Sequence, residues 1–80
     1  DNRLRIMKRL ERKPHNPNQL VKELGLDYKT IVHHLEALEE NGLVGREGER
    51  NYGGIFRMPE FAKSQIGLIN RIWRSLEKGK

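Results

Sequence analysis

Residues 28–33 of this chain bring together Tyr28, Lys29, Thr30, Val32 and His33, a mixture of hydrogen-bonding, cationic and apolar groups. Such a mixture suits the edges of stacked base pairs and the phosphates that flank them. An imidazole donates to guanine acceptors, a branched apolar side chain packs on a thymine methyl, and lysine meets phosphate. Asn18, Arg46 and Arg50 are further candidates, the two arginines standing among Gly45, Gly48, Gly53 and Gly54. Arginine enters narrow minor grooves, and glycine lets a backbone approach closely. All of this requires that the residues project from one face of a helix whose opposite face is anchored.

The elements that would hold them can be read from periodicity. Residues 2–13 place Leu4, Ile6, Met7 and Leu10 on one side of a helix and Arg5, Lys8, Arg9 and Arg12 on the other. Pro14 and Pro17 end it. A second helix opens with Asn16 as cap, Pro17 at the first position and Gln19 three residues after the cap. It buries Leu20, Val21 and Leu24, and stops at Gly25. Leu26 is expected as a plug beneath the turn, and Asp27 caps helix 3. Ile31, Leu35 and Leu38 form the core stripe of that helix, while Lys29, His33, Glu36 and Glu40 point away with Tyr28 and Val32 beside them. Asn41-Gly42 terminates it.

From residue 43 the period changes. Residues 43–47 and 55–58 read as two short strands, with 48–54 as the loop between them. Pro59-Glu60 then opens a last helix to about residue 78. In that helix Ala62, Ile66, Ile69, Trp73 and Leu76 follow the spacing of a coiled-coil seam, and Phe61, Leu68 and Ile72 form a second apolar row. So wide an apolar face exceeds what a small domain covers, so one row is expected to dock on helix 1 and the other to meet a twofold partner, with Ala62, Ile66, Ile69, Trp73 and Leu76 as the expected dimer interface. Gly67 costs ~1 kcal/mol against Ala and marks a place for a kink or close contact. The expected fold is mainly α with a small β-hairpin, in the order helix, helix, helix, hairpin, helix. Residues 1–58 are expected to form the DNA-binding unit and 59–80 a dimerisation helix.

Composition narrows the classes of function. Eighty residues make one small domain, which buries only ~60% of its unfolded surface and gains from a partner. No cysteine is present, which excludes disulfides and thiolate metal sites and fits a reducing cytoplasm. No apolar run reaches the ~18 residues of a membrane span. The net charge of +5 is uneven: residues 1–13 carry +4 and residues 59–80 carry +3, while 14–44 sum to −3. Basic ends around an acidic middle suit a polyanion touched at several points.

Chemistry other than binding finds little support. Ser64 and Ser75 have no neighbouring His, and no P-loop or dinucleotide fingerprint is present. His33 and His34, adjacent on a helix, point ~100° apart and do not chelate together. His34 is expected as a partly buried packing residue and His15 as a loop residue. No enzyme, cofactor or metal site is expected.

The stretch Leu24-Gly25-Leu26-Asp27-Tyr28-Lys29-Thr30-Ile31-Val32-His33-His34-Leu35, followed by Leu38-Glu39-Glu40-Asn41-Gly42-Leu43-Val44, resembles the helix-turn-helix of the ArsR-like winged-helix transcriptional regulators, in particular their compact archaeal relatives. The similarity covers about residues 2–58, and its most specific part is 27–44. The resemblance implies that Tyr28, Lys29, Val32 and His33 contact DNA while the wing holds the backbone. The chain departs from the family pattern in two ways. Val32-His33 stands where Ser-Arg is frequent, which leaves base preference open, and the cysteines of the metal-sensing branch are missing. The expectation is a homodimeric regulator that binds duplex DNA. Its rival is a winged helix used as a protein-interaction module in a larger complex, which the acidic end of helix 3 and the mixed-charge wing favour.

Overall fold

In a computed structural model, three helices precede a two-stranded hairpin and two further helical segments: α1 Asn2–Arg12, α2 Pro17–Leu24, α3 Tyr28–Glu40, β1 Gly45–Glu47, β2 Ile55–Arg57, α4 Glu60–Lys63 and α5 Ile66–Lys78. The structure describes residues 2–48 and 54–78, except the side chains of Trp73, Glu77 and Lys78.

The core is the sum of the helical stripes. Ile6, Met7 and Leu10 of α1, Leu20 and Leu24 of α2, and Ile31, Leu35 and Leu38 of α3 meet, and Val44, Phe56, Met58 and Ala62 close the cluster from the hairpin side. Leu26 packs against this cluster from the turn, as its place between Gly25 and Asp27 predicts.

Local signals set the helix ends. The Asn16 side chain accepts from the Gln19 amide at 2.8 Å, and the Gln19 side chain accepts from the Asn16 amide at 2.8 Å. Two otherwise unpaired donors are thus satisfied, and Pro17 supplies no third. Asp27 accepts from the Thr30 amide at 3.3 Å and from the Thr30 hydroxyl. The Thr30 hydroxyl, followed by backbone amides, holds the Asp27 carboxyl below the ordinary carboxylate range. At the far end of α3, the Leu43 amide donates to Leu38 O at 2.9 Å and the Gly42 amide to Glu39 O at 3.0 Å. This reversal needs φ of +73° at residue 42, which glycine adopts without steric cost.

That stop shortens the first strand. Because Leu43 gives its N–H back to α3, pairing begins only at Gly45, two residues later than the alternation predicts. The second strand ends at Arg57, since Pro59 carries no N–H to extend it. The register is antiparallel, with Gly45 opposite Arg57, Arg46 opposite Phe56 and Glu47 opposite Ile55. A third segment joins the ladder where only a loop is expected. His15 and Phe56 form an antiparallel bridge, so β2 is paired on both sides.

The C-terminal region departs from a single helix. The Gln65 amide bonds Ala62 O at 3.1 Å in a tight turn, and the Ser64 hydroxyl donates to Phe61 O at 3.1 Å. A serine hydroxyl competes with the helical ladder for nearby carbonyls, and the break falls at Ser64–Gln65 rather than at Gly67. A methyl group at Gly67 would meet nothing within 4 Å among the described residues, so they make no close contact there.

Candidate nucleic-acid interface

The outward face of α3 is built by burying its opposite face. Ile31, Leu35 and Leu38 are each 0% exposed, and at 100° per residue this stripe turns Lys29, His33, Glu36 and Glu40 to solvent. Tyr28 is 48% exposed at the first turn, and Val32 and Thr30 are half-buried at the edges of the stripe. The projecting set Tyr28, Lys29, Val32 and His33 therefore lies on the N-terminal half of one helix, and Glu36 and Glu40 lie on the C-terminal half. Thr30 differs from the others because its hydroxyl serves the Asp27 cap. Asn18 is exposed at the start of α2.

Two ties from α1 hold the helical pair that carries this face. The Arg5 guanidinium donates to Leu24 O at 2.9 Å, covering a carbonyl at the C-terminus of α2, where a cation also meets the negative end of the helix. Arg9 lies 3.4 Å from Glu23 on α2. Two of the four basic residues expected on the solvated face of helix 1 thus brace α2, a role that charge pattern alone does not distinguish from solvation.

His33 and His34 diverge as their adjacency requires, with ring centroids 5.7 Å apart in an edge-on arrangement. His34 is half-buried. Burial, followed by the nearby His33 and Arg3, holds its imidazole below the ordinary histidine value.

His15 is 2% exposed and is the residue that sequence reasoning missed. Its Nδ1 donates to Lys13 O at 2.8 Å, and its Nε2 stands 3.0 Å and 3.2 Å from the two carboxylate oxygens of Glu23. The available signal was the pair Pro14 and Pro17, which restrict Lys13 and Asn16 before them and so bias the link on either side of His15 toward extended backbone. Among the described residues no group of three or more His, Asp or Glu side chains gathers as a metal site.

The wing carries a second surprise. Arg46, expected to reach outward, turns to the helices instead. Its Nη2 donates to Glu39 Oε1 at 3.2 Å, its guanidinium carbon sits 4.6 Å from the Phe56 ring centroid, and its side chain is 18% exposed. Arg57 pairs with Glu47 across the hairpin at 2.6 Å. Arg50, the remaining wing candidate, lies outside the described residues.

The five seam positions of the last helix do not share one environment. Ala62 is 0% exposed, within the chain's own core, and so has no surface left for a partner. Ile66 and Ile69 pack against the same core. Leu76 is 68% exposed, and the side chain of Trp73 lies outside those described. The second row is the open one, with Phe61 62%, Leu68 49% and Ile72 52% exposed. Among the described residues no helix is long and apolar enough to cross a membrane.

Compared with known proteins, residues 1–45 match the sequence profile described as bacterial regulatory protein, arsR family, a span from α1 to the first residue of β1. No curated protein matches the chain.

Proposed function

The chain belongs to the bacterial arsR regulatory protein family of DNA-binding transcription regulators, and from that premise we propose that it reads duplex DNA as a homodimer, with α3 in the major groove and the wing on the backbone or minor groove. The observation that carries this reading is the division of α3. Its apolar stripe is wholly buried, while Tyr28, Lys29 and His33 are exposed beside Val32 on the half nearest its capped N-terminus. Side chains at the start of a recognition helix are those that reach base edges.

In this reading His33 and Val32 choose sequence, and Lys29 and Arg50 supply phosphate contact. Asn18 meets the backbone from the start of α2. Glu36 and Glu40 are repelled by phosphate, so α3 enters with its N-terminus leading. Residues 1–58 read the duplex and 59–80 hold two copies together.

The homodimer draws support from the open row of α5. Leu68, Ile72 and Leu76 stand on one side of the helix at intervals of four and are about half exposed or more. Their burial against a second copy contributes ~25 cal/mol per Å² of apolar surface, less the entropic cost of association. Because Ala62, Ile66 and Ile69 are engaged at home, this row, rather than the whole expected seam, meets the partner. A twofold arrangement sets two α3 helices about one DNA turn apart, ~34 Å, and implies an inverted-repeat operator.

Selection of bound sequences from random duplex DNA tests the function, followed by titration of a selected duplex at several salt concentrations. The expected outcome is an enriched inverted repeat whose affinity falls with salt at a log–log slope of about −0.9 per phosphate contacted. No binding to any duplex at low salt would overturn the reading.

A further inference from the structure

The hairpin is too short to hold its own angle. Each strand has three residues, and an isolated two-stranded hairpin is marginal in water. Something must fix its inclination to α3 if both are to engage one duplex. On the β2 side the His15 bridge does so. On the β1 side the tie is Arg46, whose guanidinium joins three parts of the fold.

The contacts of Arg46 are specific. Its Nη2 bonds Glu39 in the last turn of α3 at 3.2 Å, and its guanidinium covers the ring of Phe56, its cross-strand partner, with 4.6 Å from carbon to centroid. Its stem lies against Gly54, where an added Cβ would come within 3.0 Å of Arg46 Cγ and 2.8 Å of Glu47 O. A side chain at position 54 is therefore excluded by the same packing. The Arg46 Nε is buried and finds no acceptor among the described residues. A guanidinium poised for phosphate would be solvated and would keep its donors free. This one is stacked, largely buried and already bonded to a carboxylate.

We infer that Arg46 is a positioning residue, which locks the wing to the end of α3 through Glu39 and Phe56 and makes no contact with DNA itself. The inference rests on the proposed reading that α3 and the wing engage one duplex. It also gives Glu39 a use, since an acid at that end of a DNA-binding helix is otherwise only a source of repulsion.

The two possible roles of Arg46 give opposite signs for Glu39. If Arg46 grips phosphate, Glu39→Gln removes a competitor and a negative charge, and DNA binding tightens. If Arg46 positions the wing, Glu39→Gln loosens the lock, and binding weakens by about tenfold despite the lost repulsion. Arg46→Met, Glu39→Gln, the double variant and the wild type are titrated with one selected duplex by fluorescence anisotropy across salt concentrations, with fold checked by circular dichroism. Expected are weakened binding in Arg46→Met and in Glu39→Gln, the same salt slope as wild type in Arg46→Met, and a double variant no worse than the poorer single one. Tighter binding by Glu39→Gln, or a slope for Arg46→Met reduced by about one contact, overturns the role given to Arg46. Should Arg46→Met fail to fold, the sign for Glu39→Gln, a surface change on α3, still decides. Wild-type protein that binds no duplex overturns the DNA-binding reading itself, which is a distinct result.

Discussion

His15 and Phe56 exchange both of their backbone hydrogen bonds, His15 N–H to Phe56 O at 3.0 Å and Phe56 N–H to His15 O at 2.8 Å. The link between α1 and α2 thereby becomes the outer strand of the wing, and a movement of either helix is felt by the hairpin. The His15 side chain secures the strand from within, bonded to Lys13 O and facing the Glu23 carboxylate.

Substitution of His15 by Ala removes both side-chain interactions and leaves the part-buried Lys13 carbonyl without its side-chain donor. Loss of about 2–3 kcal/mol in unfolding free energy is expected, within the range for buried polar partners. Urea denaturation of wild type and variant measures it, and a change under about 0.5 kcal/mol, the level of an ordinary surface substitution, would show that the pocket reorganises freely.

Acid should weaken the fold through His34. Its imidazole lies below the ordinary value because of burial, then His33 and Arg3. The unfolded chain therefore takes up this proton at a higher pH than the folded chain does. Stability is full above the unfolded value, near ~6.5, and declines as pH falls below it, until the folded group also protonates. Urea midpoints between pH 8 and pH 5 should fall in the wild type and fall less in His34→Gln. Parallel slopes in the two proteins would assign the effect to another group.

Specificity and affinity should separate by residue. His33→Ala is expected to change the ranking of operator variants by ~1–3 kcal/mol at one or two positions. Lys29→Ala is expected to weaken every duplex alike and to lower the salt slope by about one contact. Binding to a panel of single-base operator variants distinguishes them, and a uniform loss for His33→Ala would mean that it reads no base.

The two rows of α5 should answer differently to charge. Leu68→Glu and Ile72→Glu, both on the exposed row, are expected to give a folded monomer by sedimentation equilibrium at micromolar concentration, with DNA binding much reduced. Ile69→Glu, which packs on the core, is expected to cost about 3 kcal/mol or more of stability, as an unpaired charge against apolar neighbours does. A wild-type monomer mass at that concentration would rule out the homodimer through α5.

Sequence determined most of what is local. The Asn16–Gln19 box, the Asp27 cap and the Asn41-Gly42 stop each act over three to five residues, so their residue types suffice to place helix ends. The stripe Ile31, Leu35, Leu38 likewise names the outward face of α3, because one period settles both faces of a helix. What residue types leave open is which partner a polar or apolar side chain takes when several are in reach. Arg5 and Arg9 read as solvated cations and Arg46 as a DNA contact, and only the packed helices bring Leu24 O, Glu23 and Glu39 to them. His15 became a buried residue of the outer strand because Phe56, forty-one positions further along the chain, offers two free backbone groups. The seam of the last helix was split for the same reason. Periodicity puts Ala62, Ile66, Ile69 and Leu76 on one face of an unbroken helix, but the turn at Ser64–Gln65 separates Ala62 on α4 from the others, and the core covers Ala62, Ile66 and Ile69 while Leu76 lies beyond it.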